Sequence, residues 1–359
     1  MKQFWAGAGM AIVIALTADG GARADTPPSV WDIAKDPAIR STYELHVRVD
    51  RLLHPSSDGS DGAELGLGIV RMRELRLEAA KATLEAGIRD AGDGPELLRV
   101  DLALVLEALA SIQQRGQWHR QVADLLAPLA NRPEGFGGDL APLEALATAY
   151  AWLDRPREEV PIWRRYVDDM TDDRRRVSPL VNLGEAEMRL GDLTGATAEF
   201  RRAIEICEGL AGAASLDAEY ALALWDLSVA LDRAGDSSVA LDTVRRAKRW
   251  TWLEEGPLGL VRTVTGWDVI HDQVDVYFVP AWEREWYLAM GEAADADSAP
   301  DAAARARMWA TAEEHWKAYV AGAEAQLADT RVSDRATHWV ATARLRLAHA
   351  HAKRVQAGP

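Results

Sequence analysis

The sequence predicts an all-α protein built from repeating helical hairpins, and three observations predict it. From residue 63 onward, apolar helical stretches alternate with short Gly, Asp or Pro breaks. The breaks at Gly116, Asp154, Gly191 and Gly235 recur at separations of 38, 37 and 44 residues, the scale of a stacked helix pair. After the last two breaks, small residues return at the same offsets: Ala196 and Ala203, then Ala240 and Ala247.

The first 24 residues stand apart from this pattern. Lys2 gives a positive start, Phe4 to Leu16 is an apolar run, and Ala22-Arg23-Ala24 supplies a small-x-small cleavage pattern, together the marks of a secretory signal peptide. The run is shorter than the roughly 20 residues a bilayer crossing needs. Asp25, not Cys, follows the cleavage point, so a lipid anchor there is not expected. The expected location is the periplasm or the outside of the cell, with no stable membrane insertion after cleavage.

Residues 25–62 read as an N-terminal helix opened by Asp36-Pro37 and a polar loop from Pro55 to Gly62. Residues 63–250 carry the hairpins. Residues 251–280 break the pattern: Val261 to Pro280 is rich in β-branched and aromatic residues, which suits a short β-hairpin or an extended crossing loop. Residues 281–359 return to a helical hairpin, with a first helix from Trp282 to Glu292, a polar break from Asp295 to Pro300, and a capping helix from Thr337 to Lys353.

The residues from Leu183 to Ala203 resemble a tetratricopeptide repeat. Leu183-Gly184, the Gly191-Asp192 turn, and Ala196, Phe200 and Ala203 stand at the family's Leu-Gly and Ala-x-x-x-Phe spacing. A second unit follows, with Leu227, Ala240, Val244 and Ala247 in the matching slots. Departures are Leu180 for the usual Trp, Glu187 for Tyr and Glu208 for Pro. The likeness is clearest from Pro179 to Lys248. Trp163 with Tyr166, and Trp316 with Tyr319, share a Trp-x-x-Tyr-Val pattern that puts two aromatic rings on one helix face.

The resemblance implies a right-handed α-solenoid that binds a protein or peptide partner in a groove lined by the first helix of each hairpin. Carried onto this chain, the groove positions are Glu144, Thr148 and Ala151, then Val181, Glu185 and Met188, then Trp225, Val229 and Asp232. Their mix of acidic and apolar groups suits an extended peptide with basic and apolar side chains.

Composition excludes several classes of function. The net charge of −15 becomes −16 when Lys2, Asp19 and Arg23 leave with the signal, and an acidic chain repels nucleic-acid phosphates. The single cysteine, Cys207, precludes an intrachain disulfide and reads as a packed helical thiol. His349 and His351 are two apart, and His315 has no histidine at i+4, so no metal ligand set is expected. No Gly-x-Ser-x-Gly elbow and no phosphate-binding loop occur, and no cofactor is expected.

Fourteen tryptophans stand beside four phenylalanines, and packing between helices is their default use. Glu283, Arg284 and Glu285 lie between Trp282 and Trp286. Such a set can hold a sugar ring, but it fits an amphipathic helix better, with Trp packed and charges in solvent. The expected role is therefore a non-catalytic scaffold for protein interaction or assembly in the cell envelope. The alternatives are a helical enzyme acting on envelope glycan through groove carboxylates roughly 5 to 9.5 Å apart, and self-association through the irregular segment.

Overall fold

In the computed structural model, residues 45, 47, 49, 67–91, 96–113, 116–132, 136, 139–210, 216–255, 261–271, 278, 280–328 and 336–358 are described. The expected signal peptide and nearly all of residues 25–62 lie outside them. The chain forms two compact units, residues 1–153 and 154–359. The boundary falls at the turn of Leu153 and Asp154, where Asp154 has φ of 59°.

The first unit contains α1 (Leu67–Asp90), α2 (Glu96–Gln113), α3 (Gly116–Ala130) and α4 (Ala141–Trp152). Each packs on the next, and α2 also meets α4. Leu84, Leu98, Leu106, Leu126 and Leu146 are fully buried and form its centre. The α2–α3 corner is held by side chains: Trp118 Nε1 donates to Gln113 Oε1 at 3.1 Å, and Gln113 Nε2 donates to Glu74 and Glu78 at 2.8 and 3.0 Å.

The second unit contains α5 (Pro156–Asp169), α6 (Asp173–Leu190), α7 (Leu193–Gly209), α8 (Asp217–Ala234) and α9 (Ser237–Arg249). Strands β1 (Thr251–Glu255) and β2 (Val261–Thr265) follow, then α10 (Gly266–His271), a 3-10 turn (Ala281–Glu283), α11 (Arg284–Ala296), α12 (Ala302–Ala328) and α13 (Ala336–Ala357). The described residues are all-α apart from this one two-stranded insertion, with successive helices packed against one another within each unit.

Local chemistry sets the hairpin turns. Gly191 and Gly235 end α6 and α8 with φ of 86° and 101°, the left-handed conformation that closes a helix at little cost only for glycine. Asp192 then caps α7 by accepting from the Gly195 backbone N–H at 2.9 Å. Within α9, only Ala240, Val244 and Ala247 are buried, the i, i+4, i+7 stripe of a helix with one packed face.

The segment from Val261 to Pro280 contributes one strand of a short β-hairpin, one of the two forms its composition suited. Its first five residues form β2, which pairs antiparallel with the upstream β1, Thr251 opposite Thr265 and Glu255 opposite Val261. Gly266 then opens α10. The two Trp-x-x-Tyr pairs pack as expected: Trp163 and Tyr166 meet edge to face at 5.7 Å, Trp316 and Tyr319 at 6.4 Å, and all four are buried.

Gly184 and Phe200 show why the repeat signature needs its residue types. A Cβ at Gly184 would come within 2.5 Å of Phe200 Cε1, so α6 and α7 approach closely only because that atom is missing. Replacing Gly184 with Val is expected to cost about 1–3 kcal/mol by overpacking. Adding Phe200→Leu should recover part of the loss. Thermal unfolding of the single and double variants measures the coupling.

Candidate functional site

The second unit does not keep the expected groove open. Val181, Met188, Trp225, Val229 and Asp232, expected to line it, are all buried. Glu185 is half-buried as a residue, with its carboxyl group in the interior. In the first unit, Glu144, Thr148 and Ala151 on α4 remain half-exposed.

Long-range contacts explain the difference at α8. Trp225 Nε1 donates to the Gly266 carbonyl at 2.8 Å, and its ring lies 5.9 Å from Trp267 and 6.5 Å from Tyr287. Asp232 accepts from Trp286 Nε1 at 3.1 Å and pairs with Arg346 at 2.9 Å. Residues of α10, α11 and α13 thus occupy the face that would have received a peptide.

A polar seam runs through this closed interior. Glu159 on α5 accepts from Trp163 Nε1 at 3.2 Å and pairs with Arg189 on α6. One turn before Arg189, Glu185 hydrogen-bonds Asp226 on α8. Tyr287 on α11 donates its hydroxyl to Asp226 Oδ1 at 2.7 Å. Arg233, with a side chain 1% exposed, pairs with Glu283 and sits 4.6 and 5.2 Å from the rings of Trp286 and Trp339. Tyr319 donates to Glu283 at 3.3 Å.

Two carboxyl groups in contact inside a protein cannot both ionise without a large penalty. Burial pushes Glu185 up to about 7, reinforced by Glu159 and opposed by Arg189. Asp226 is raised well above the carboxylate range, by burial first and by Glu185 second. Asp226 Oδ2 meets no N–H or hydroxyl donor among the described residues, and with the more strongly raised pKa the Asp226 carboxyl carries the proton and donates it toward Glu185. The seam is a proton-sharing pair joining α6 to α8, with Tyr287 extending it to α11.

The residues between Trp282 and Trp286 are likewise taken up by the fold. Trp286 is buried, Glu285 meets His315 at 2.7 Å, and Arg284 Nε donates to the Ile270 carbonyl at 3.0 Å. The tryptophans pack as expected, but the charges do not all face solvent: the Glu283 side chain is 16% exposed and its partner Arg233 is buried. The Cys207 thiol is pushed up to about 12, by burial first and then by Glu219, Asp217 and Glu208, so it stays protonated and unreactive at neutral pH.

Periodicity missed the Glu185–Asp226 pair, although it left one signal. Asp226 is the only charge between Glu219 and Asp232 in the run Ala221 to Leu231, and a lone charge inside an apolar stretch demands a partner.

No family model matches the chain, and no curated protein matches it. Among solved structures, it is similar to a Signal Transduction ATPase with Numerous Domains (STAND) protein with a tetratricopeptide repeat sensor from Pyrococcus horikoshii, at 10% identity and a TM-score of 0.43. The overlap covers 90% of this chain and 49% of that one, so this chain spans about half its length.

Two outcomes follow. Trp225→Ala is expected to destabilise the second unit by about 3–5 kcal/mol, as for a filled core site, measured by denaturant unfolding. The carboxyl pair sets a pH dependence, because folding raises both pKa values. Its stabilising contribution is complete below the unfolded values of 4.5 for Glu185 and 3.8 for Asp226. It is lost as the pH rises through about 7, where Glu185 ionises. The melting temperature should therefore fall across this window, and Asp226→Asn, whose amide can donate to Glu185 and accept from Tyr287, should flatten the fall.

Proposed function

We propose that this chain is an exported, non-catalytic scaffold that binds or assembles other proteins in the cell envelope, in the periplasm or after secretion. The carrying observation is the α4 face of the first unit, where Glu144 and Thr148 stay half-exposed. Beside them on α2, Glu107 is pushed up to about 7, by burial first and then by Glu144. A lysine or arginine side chain entering there relieves that repulsion as a proton does, which favours a partner segment with basic character.

The helical-hairpin architecture supports the reading, since stacked helix pairs present extended surfaces. The buried polar groups Glu159, Asp226, Asp232 and Arg233 of the second unit are engaged in helix–helix contacts, which suits a structural use. Export rests on the signal-peptide pattern of residues 1–24. No helix among the described residues is long and apolar enough to cross a membrane.

A photo-crosslinking residue in place of Thr148 tests the binding face. Exposed to envelope extract, it is expected to give discrete protein adducts that Glu144→Lys abolishes. Absence of adducts, together with release of sugar fragments from envelope glycan by the purified protein, would overturn the scaffold reading. Deleting residues 2–24 is expected to leave the protein in the cytoplasmic fraction; unchanged export would remove that part of the proposal.

A further inference from the structure

The helix α13 differs from the other described helices in charge. The protein carries 56 acidic against 41 basic residues, yet the 22 residues of α13 contain no Asp or Glu. Its inner side is committed to the fold: Val340, Ala343 and Ala350 are buried, Arg346 pairs with Asp232, and Arg354 pairs with Glu313. Its outer side carries two large apolar residues in solvent, Leu345 at 70% and Val355 at 63% exposure.

These two residues anchor a continuous line. Ala341, Leu345, Ala348, Ala352 and Val355 are all exposed apolar or small residues, spaced alternately four and three apart. At 3.6 residues per turn they occupy an arc of about 80°, the alternating spacing of a helix–helix seam. Arg344 and His351 border the arc on one edge, and His349 and Lys353 on the other. Arg344 is 62% exposed and its partner Glu324 44% exposed, so that ion pair is solvated and exchanges readily. His351 lies 3.4 Å from Glu313, which also holds Arg354.

We propose that the outer face of α13 docks an acidic amphipathic helix of a partner protein, with Leu345 and Val355 as its apolar anchors and Arg344 and Lys353 pairing with carboxylates that flank the partner's apolar stripe. This rests on the protein-interaction reading above and adds a second surface with its own partner chemistry. Charge decides between occupants. In a pairing of two α13 helices, like-charged edges face each other, which disfavours a second copy. An anionic bilayer calls for a broad face of bulky side chains, whereas this stripe is narrow and its three alanines permit close approach of a helix.

Two designed 21-residue helical peptides test the proposal, both with Leu on a heptad seam, one flanked by Glu and the other by Lys. The purified protein is expected to bind the Glu peptide at least about tenfold more tightly than the Lys peptide, with affinity falling as salt rises. Leu345→Asp is expected to weaken binding by at least about tenfold while leaving the circular dichroism and melting temperature unchanged. If Leu345→Asp lowers stability, the double change of the exposed Arg344 and the half-exposed Lys353, Arg344→Glu and Lys353→Glu, serves instead and is expected to reverse the peptide preference.

Equal binding of both peptides, no binding of either, or binding insensitive to all these changes overturns the proposal. So does a concentration-dependent dimer abolished by Leu345→Asp, or adsorption to phosphatidylglycerol vesicles without peptide binding. Loss of peptide binding with Thr148 adducts intact removes this surface alone. Loss of the adducts with peptide binding intact removes the α4 face instead.

Discussion

The second unit depends on the enclosure of α8. From Tyr220 to Arg233, all but one residue of this helix is buried, and the residues that cover it come from far along the chain. Gly266 and Trp267 meet Trp225, Tyr287 meets Asp226, and Arg346 reaches Asp232 across 114 residues. Each contact joins a repeat helix to the segment after the repeats. The hairpin α6–α7 and the C-terminal helices are therefore not independent stacks; α8 is common to both.

Enclosure on this scale forces a solution for the charges it traps. Asp226, Asp232 and Arg233 lie within eight residues on a buried helix, and each unpaired would cost several kcal/mol. The fold disposes of them in three ways: a shared proton with Glu185, an ion pair with Arg346, and an ion pair with Glu283 beneath the Trp286 and Trp339 rings. All three impose a geometric register that apolar contacts alone would not. This is a physical reason for the C-terminal helices to sit in one arrangement against α8.

Features set by neighbours in sequence were legible before the structure. Gly191 and Gly235 sit at the predicted turns, and Trp163 meets Tyr166, because hairpin geometry fixes these features locally. Of the expected groove positions, Glu144 and Thr148 in the first unit stay half-exposed. At Val229 and Asp232, periodicity specified the side of α8 on which they stand, but not that α11 and α13 would cover it, since nothing in a 3.6-residue period encodes a contact a hundred residues away. β1 escaped notice for a related reason: Thr251 to Glu255 lies next to Arg249 at the end of α9, and only its pairing with β2 makes it a strand. The outer stripe of α13 was read as part of a cap, yet Leu345 and Val355 stand in solvent on its outer side.

These facts move the search for partners outward, to α4 in the first unit and to the basic outer face of α13 in the second. They also make the closed state of α8 the central structural claim. Native-state amide hydrogen exchange tests it most directly, because protection reports the free energy of the opening that exposes each amide. The account predicts that amides of residues 220–233 are among the slowest in the second unit and open together with those of α11. Rapid exchange along α8 while α11, α12 and α13 stay protected would contradict it, by showing that the groove is open in solution.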